Sequence, residues 1–204
     1  MVIASYEFTG TSAAEVSPTT EYAGVSASDF SSPVFTFSTN TNNLQTADGL
    51  GLADGSGNDM AGAVTTQQYF TFTITADSGY AFDLDNLTFD IGRGLRGAKD
   101  YAVRSSVDSY VDNIVFADNA IDQTPEGQDI NLYDSAYNGL TSIGFRIYLD
   151  DRRNNSASAS ETFIDNVVLN GTVSAIPEPS AYAAILGCLA LAIVIVRRKG
   201  RGTL

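Results

Sequence analysis

Two segments of the chain alternate strictly between hydrophobic and polar or small residues. In residues 70–75 phenylalanine and isoleucine alternate with threonine, and in residues 143–149 apolar residues alternate with glycine, arginine and tyrosine. A repeat of two is typical of a strand with one buried face. Similar strand signals, separated by stretches rich in Gly, Asn, Asp and Ser, occur in residues 2–8, 34–37, 81–91, 101–107, 114–116, 130–133 and 163–173.

About nine short strands with turn signals between them predict two packed antiparallel sheets. No window of about 11 residues in this part of the chain has the apolar stripe of a helix. We therefore predict an all-β fold, an antiparallel β-sandwich of jelly-roll type over residues 1–174, with a closed barrel as the alternative. Residues 38–68 are rich in Asn, Thr, Gly and Asp, and we expect them to form a long surface excursion.

The C-terminal segment has a different pattern. Residues 181–196 contain no charged residue and no polar face at helical spacing. Their leucine, isoleucine and valine side chains favour bilayer insertion by on the order of 4 kcal/mol in total. As a helix the segment would be about 24 Å long, against about 30 Å of hydrocarbon. We predict a single transmembrane helix over residues 181–196.

Rigid and charged residues flank this apolar segment. A proline, an acid and a second proline precede it, which predicts an extended linker over residues 175–180. A basic cytoplasmic tail over residues 197–204 follows it, because Lys and Arg resist translocation. The residues concerned are Pro177, Glu178 and Pro179 before the segment and Arg197, Arg198, Lys199 and Arg201 after it.

Pro-Glu-Pro, a short apolar span and an arginine-rich end resemble the PEP-CTERM sorting signal of bacterial surface proteins over residues 176–201. The resemblance implies that Pro177, Glu178 and Pro179 are the sorting motif and that an exosortase, a membrane protease-transpeptidase, processes the chain. It also implies a single-pass membrane location, with the acidic domain outside the cytoplasm and a cell-envelope or extracellular location after processing. The body resembles, more weakly, uncharacterised sandwich ectodomains that precede such tails.

Such export requires an N-terminal signal peptide, and the sequence begins instead with a strand-like pattern. Residues 1–8 contain neither a basic region nor an apolar run of 7–15 residues. We expect that the start of the coding sequence lies further upstream.

The charge distribution excludes one class of partner. Residues 1–176 contain 23 of the 24 acidic residues and only 7 of the 11 basic residues. A body this acidic would be repelled by phosphate backbones, so we expect no nucleic-acid binding.

Candidate catalytic residues are few. The chain has no histidine, and its single cysteine, Cys188, lies in the apolar segment, which excludes catalytic triads and His-based zinc sites. Residues 92–97 match the spacing of a dinucleotide-binding loop, but the residues that follow alternate as a strand, so we interpret them as a turn. A carboxylate pair of the glycosidase kind stays open, because its spacing is spatial.

We predict no metal ligand or cofactor, and calcium is the alternative that the acidic residues leave open. Residues 54–59 have oxygen-bearing side chains at alternating positions but lack the glycine and glutamate of an EF-hand loop. Asp165 could hold calcium with help from Asp150 and Asp151.

Ten tyrosines could stack on sugar rings, whereas tryptophan is absent. We interpret five of them as ordinary sheet residues whose hydroxyl groups contact water: Tyr6, Tyr101, Tyr110, Tyr133 and Tyr148. The sequence thus predicts an exported protein of structural or interaction type, without catalysis of its own, whose partners are the membrane, the exosortase and extracellular polysaccharide. The alternative function is a carbohydrate-binding module or adhesin, with or without calcium.

Overall fold

The structure is a computed structural model of the 204-residue chain. It describes residues 1–8, 16–39, 44–46, 60–95, 97–150 and 161–176, together with Cys188 and Ile193. Within these residues the chain forms two separate antiparallel sheets, as the sequence predicted.

The larger sheet, sheet A, has seven strands. Its centre is the pair of long strands β7 and β12, which run antiparallel side by side. Strand β10 pairs with β7 at one edge, while β1 and β5 pair with different parts of β12 on the other side. The strands are β1 (Val2–Tyr6), β2 (Thr20–Glu21), β4 (Phe37–Thr39), β5 (Leu44–Thr46), β7 (Tyr80–Arg93), β10 (Glu126–Asn131) and β12 (Thr162–Ala175).

The smaller sheet, sheet B, has five strands in the order β3-β6-β11-β8-β9. Its central strand, β11, pairs with β6 on one side and with β8 on the other. A short helix, α1 (Ala61–Thr65), precedes β6. The strands are β3 (Val25–Ala27), β6 (Tyr69–Ala76), β8 (Asp100–Ser105), β9 (Val115–Ala117) and β11 (Ser142–Asp150).

The core between the sheets is aromatic at one end. Phe72 on β6 stacks on Phe30 and Phe145 and meets the ring of Tyr6 edge-on, with centroid distances of 5.2–5.5 Å. All four side chains are buried. Alternation decides which residues enter this core: the apolar residues of β6 and β11 point inward, and the threonines of β6 point outward.

The nine predicted strands are present with boundaries shifted by a few residues, and three strands were missed. Strands β2, β3 and β5 have only two or three residues each, too few for a repeat of two to show. The predicted excursion over residues 38–68 is partly wrong, because it contains β5 and the five-residue helix α1.

In the glycine-rich segment at residues 92–97, residues 92 and 93 end β7, residues 94, 95 and 97 lie in the connection between the two sheets, and residue 96 is outside the described part of the chain. Strand β7 ends at Arg93 in sheet A and β8 begins at Asp100 in sheet B. Because a strand follows, no helix N-terminus is present to receive a pyrophosphate. A Cβ on Gly97 would collide with the backbone oxygen of Glu161, so close approach of the chain explains this glycine.

The predicted membrane location is overturned. No helix among the described residues is long and apolar enough to cross a membrane. Helix α1 has only five residues, far fewer than the roughly 20 that a membrane span needs, and most of residues 181–196 lie outside the described part of the chain. Of that run the structure describes Cys188 and Ile193, both helical and exposed.

Candidate functional site

A β-bulge in β12 shapes the outer face of sheet A around Asp165. The pairing of β12 with β7 shifts between Asp165 and Val168. Asn166 occupies the extra position with φ of 49°, a left-handed conformation that asparagine adopts more readily than most residues. Asp165 is therefore partly exposed on the outer face, while Ile164 and Val167 both point into the core.

The bulge brings two carboxylates together. Asp165 lies directly opposite Asp90 on β7. The side-chain amide of Asn166 donates a hydrogen bond of 2.7 Å to Oδ2 of Asp90, and its backbone N–H donates one of 2.8 Å to Oδ1 of Asp165. Asn166 thus holds both carboxylates in place.

A small cleft of about 60 Å³ opens beside this pair. Asp90 and Asp165 form its polar side, and Phe163, Ile164 and Pro125 form its apolar side. Pro125 can approach β7 closely because residue 92 is glycine, where a Cβ would lie 2.9 Å from the Pro125 Cα. We call this surface the Asp90–Asp165 cleft.

The cleft is electrically negative. Burial raises the pKa of Asp165 above its ordinary value, hydrogen bonds from the backbone N–H groups of Asn166 and Phe8 oppose this, and the nearby charges of Asp90 and Glu7 raise it further. Within the described residues, no donor is bonded to Oδ1 of Asp90. That oxygen is available to a ligand that donates hydrogen bonds.

The structure does not assemble the calcium ligands considered from the sequence. Asp165 lies on the outer face of sheet A, whereas Asp150 is buried on β11 in sheet B. Among the described residues, no group of three or more acidic, histidine or cysteine side chains could hold a metal ion. Residues 54–59 and Asp151 lie outside the described part of the chain.

The tyrosines considered as sugar platforms have different environments. Tyr6 and Tyr101 are buried in the core, and their hydroxyls donate to the backbone oxygen of Ser28 and to the side chain of Gln128. Tyr148 is buried on the outer face of sheet B, Tyr110 is half-buried in a loop, and Tyr133 is exposed. The interpretation as sheet residues is confirmed for Tyr6, Tyr101 and Tyr148 and is wrong for Tyr110 and Tyr133, which lie outside the strands.

Sequence reasoning identified Asp165 but missed Asp90, Pro125 and Asn166. One signal was present: two consecutive polar residues, Asp165 and Asn166, interrupt the apolar run of residues 163–169. A break of this kind within a strand indicates a bulge. Nothing in the sequence indicated that β7 and β12 are neighbours.

The predicted sorting motif and basic residues lie outside the described residues. These are Pro177, Glu178, Pro179, Arg197, Arg198, Lys199 and Arg201. Their roles stay predictions.

No protein-family model matches the chain, and no curated protein matches it. Among solved structures, it is similar to a carbohydrate-binding module specific for non-crystalline cellulose, with 13% identity and a TM-score of 0.38, over 67% of this chain and 80% of that one. It is similar to a mannan-recognising carbohydrate-binding module, with 14% identity and a TM-score of 0.38, over 83% of this chain and 96% of that one.

A third similar structure is an arabinose-bound α-L-arabinofuranosidase, with 12% identity and a TM-score of 0.41. The match covers 83% of this chain but only 27% of the arabinofuranosidase. At such identities and scores, these likenesses assign no function to this chain.

Proposed function

We propose that this chain is a non-catalytic carbohydrate-binding domain of adhesin type, and that the Asp90–Asp165 cleft holds a neutral sugar. The observation that carries the proposal is the composition of the cleft, in which a half-buried aromatic ring and a proline stand beside two fixed carboxylates. A sugar ring has one apolar C–H face and a rim of hydroxyl donors. A site that binds it therefore needs an apolar surface for the face and hydrogen-bond acceptors for the hydroxyls.

The apolar side of the cleft would receive the C–H face of the sugar. Phe163 points outward from β12 and is partly exposed. It pairs with Gly92 on β7, and Pro125 packs over Gly92. Burying this apolar surface against the sugar favours binding by roughly 25 cal/mol per Å².

The carboxylates would receive the hydroxyl groups. Oδ1 of Asp90 has no donor within the described residues, and hydrogen bonds from neutral donors to a charged acceptor are stronger than those between neutral groups. The negative charge of the cleft excludes anionic sugars and fits neutral ones. Asn166 fixes both carboxylates before the ligand arrives, which lowers the cost of ordering on binding.

The arrangement favours binding over hydrolysis. A glycosidase needs one carboxyl group that gives up a proton and another that attacks or activates water. Here Asp165 accepts hydrogen bonds from the backbone of Asn166 and Phe8, and Asp90 accepts one from the Asn166 side chain. Both carboxylates therefore take part in the hydrogen bonds of the bulge, which favours a role in binding.

The test is a glycan-binding measurement on the full chain, with and without EDTA. We expect binding to a neutral polysaccharide that EDTA does not change, and about a tenfold loss of affinity in Phe163→Ala, because one aromatic contact is worth about 1.5 kcal/mol. Asp129→Asn, on the outer face of neighbouring strand β10, is the matched control and should bind like the wild type. Equal binding by Phe163→Ala and the wild type, or release of reducing ends from the bound glycan, would overturn the proposal.

The sorting signal at Pro177, Glu178 and Pro179 stays a prediction beside this function. It concerns how the chain is processed, and the cleft concerns what it binds. Replacing Glu178 tests the first without touching any residue of the cleft.

A further inference from the structure

A second polar surface lies on the outer face of sheet B. Arg146 on β11 and Arg104 on β8 are directly opposite each other in the pairing of the two strands. Like charges in this position are destabilising. The chain carries a net charge of −13, so it has many carboxylates that could have been placed beside them.

Neither arginine is paired with a carboxylate among the described residues. Arg104 donates from Nε to Oδ1 of Asn113 at 2.7 Å and from Nη1 to the backbone oxygen of Tyr110 at 3.0 Å. Arg146 donates only one long hydrogen bond of 3.4 Å, to the hydroxyl of Tyr148. Most of the five N–H donors of Arg146 are therefore free in the described structure.

Aromatic rings hold the Arg146 guanidinium in place. Its central carbon lies 3.7 Å from the ring centroid of Tyr110 and 4.6 Å from that of Tyr69. Such cation–π contacts hold a guanidinium without using its N–H groups as hydrogen-bond donors. Tyr69 and Tyr148 form a T-shaped pair that packs with Ala63 of α1 and with Met60, the residue before this helix.

A strained loop completes the surface. Ser109 and Tyr110 both have φ of 63°, which is costly for residues other than glycine. The loop is fixed by Arg104, and by Asp108, whose carboxylate accepts the backbone N–H groups of Val111 and Asp112. The carboxylate of Asp108 thus binds the backbone of its own loop. Arg146 has no carboxylate partner among the described residues.

We propose that Arg146, with Arg104 beside it, binds the carboxylate group of an acidic ligand. A planar guanidinium that two rings hold in place, with most of its N–H donors unbonded among the described residues, matches a planar carboxylate, which it can bind through two parallel hydrogen bonds. The two opposed positive charges, unfavourable in the free protein, become favourable when an anion lies between them. This site is distinct from the Asp90–Asp165 cleft and belongs to the other sheet.

The experiment measures binding of glucuronate to the full chain by calorimetry, with glucose and inorganic phosphate as parallel probes. We expect glucuronate to bind in a salt-dependent way and glucose not to bind at this site. Arg146→Lys keeps the charge but loses the bidentate geometry, and should weaken glucuronate binding by about tenfold, the value of one charge-assisted hydrogen bond. Arg146→Gln should abolish it.

Arg197→Gln removes the same charge from the C-terminal tail and serves as the charge-matched control, with unchanged binding expected. Circular dichroism of each variant shows that the fold is retained, and Arg146→Lys keeps the test valid if Arg146→Gln does not fold. An equal loss of glucose and glucuronate binding in Arg146→Lys, tighter binding of phosphate, or full glucuronate binding by Arg146→Lys would overturn the proposal. Phe163→Ala should leave glucuronate binding intact, so failure of the cleft proposal would not affect this one.

Discussion

The hydroxyl of Tyr110 occupies the space that a Cβ on Gly144 would need. Gly144 lies on β11, and its backbone N–H donates to Oγ of Ser106, the residue at which the chain leaves β8 for the loop that carries Tyr110. Gly144 thus lets this loop pack against sheet B. The loop in turn places the Tyr110 ring against Arg146.

Gly144→Ala should displace the loop. We expect a loss of about 1 kcal/mol in the free energy of unfolding. This is at the low end for overpacking, because the hydroxyl end of the Tyr110 side chain can move away from the new methyl group. Gly94→Ala is the matched control, since its nearest neighbour would be 3.7 Å from the new Cβ. Urea denaturation of both variants measures the difference, and equal stability of the two would contradict the assigned packing.

Substitutions at Asn166 separate the backbone conformation of the bulge from its side-chain hydrogen bond. Both Asn166→Gly and Asn166→Ala lose the bond to Asp90, at a cost of about 1 kcal/mol. Only alanine is strained at φ of 49°, so Asn166→Ala should be less stable than Asn166→Gly by about a further 1 kcal/mol. Chemical denaturation at pH 7 measures this, and the opposite order would show that the bulge is absent.

Asp165→Asn should stabilise the protein at neutral pH. Burial and the charges of Asp90 and Glu7 raise the pKa of Asp165 in the folded state, so the folded protein binds this proton more tightly than the unfolded chain. Stability is then lost as the pH rises from the ordinary aspartate pKa, about 3.9, through the raised value. Replacement by asparagine removes that loss.

We therefore expect a higher melting temperature for Asp165→Asn than for the wild type at pH 7, and a difference that shrinks to nothing at pH 3. Asp112→Asn, an exposed site in the loop after β8, is the control. Thermal melts over this pH range measure the effect. A constant difference at all pH values would mean that titration of Asp165 is not its cause.

Phe72→Ala tests the aromatic end of the core. Phe72 is 1% exposed and contacts the rings of Tyr6, Phe30 and Phe145. Removing a buried phenylalanine ring costs about 3–5 kcal/mol, whereas Val111→Ala, at a side chain that is 64% exposed, should cost less than about 0.5 kcal/mol. Guanidinium denaturation gives both values. A cost for Phe72→Ala near that of Val111→Ala would place the core elsewhere.

The alternating pattern predicted the body of the fold well. Strands β6 and β11 were evident because their apolar residues face the core and their other residues face outward. Since successive side chains of a strand point to opposite faces, this arrangement shows in the sequence as a repeat of two. Strands β2, β3 and β5 were not evident, because they are held by pairing with β1, β6 and β12 and are too short to carry a pattern of their own.

The C-terminal segment shows where composition is insufficient. An apolar run at residues 181–196 led to the prediction of a membrane location, and the described residues contain no helix that could cross a membrane. Apolar composition indicates how favourable it is for the side chains of a segment to leave water. A span also needs a helix of sufficient length, and of this run the structure describes only Cys188 and Ile193.

By itself, the sequence determined the antiparallel β-sandwich, the placement of Asp165 on the last strand, and the acidity of the body. These follow from local order along the chain, which fixes which face of each strand is apolar. Only the tertiary structure decided that Asp165 meets Asp90 and that Arg146 meets Arg104, Tyr69 and Tyr110. Such contacts join residues far apart in the chain, and they depend on strand order and register, which a local pattern does not encode.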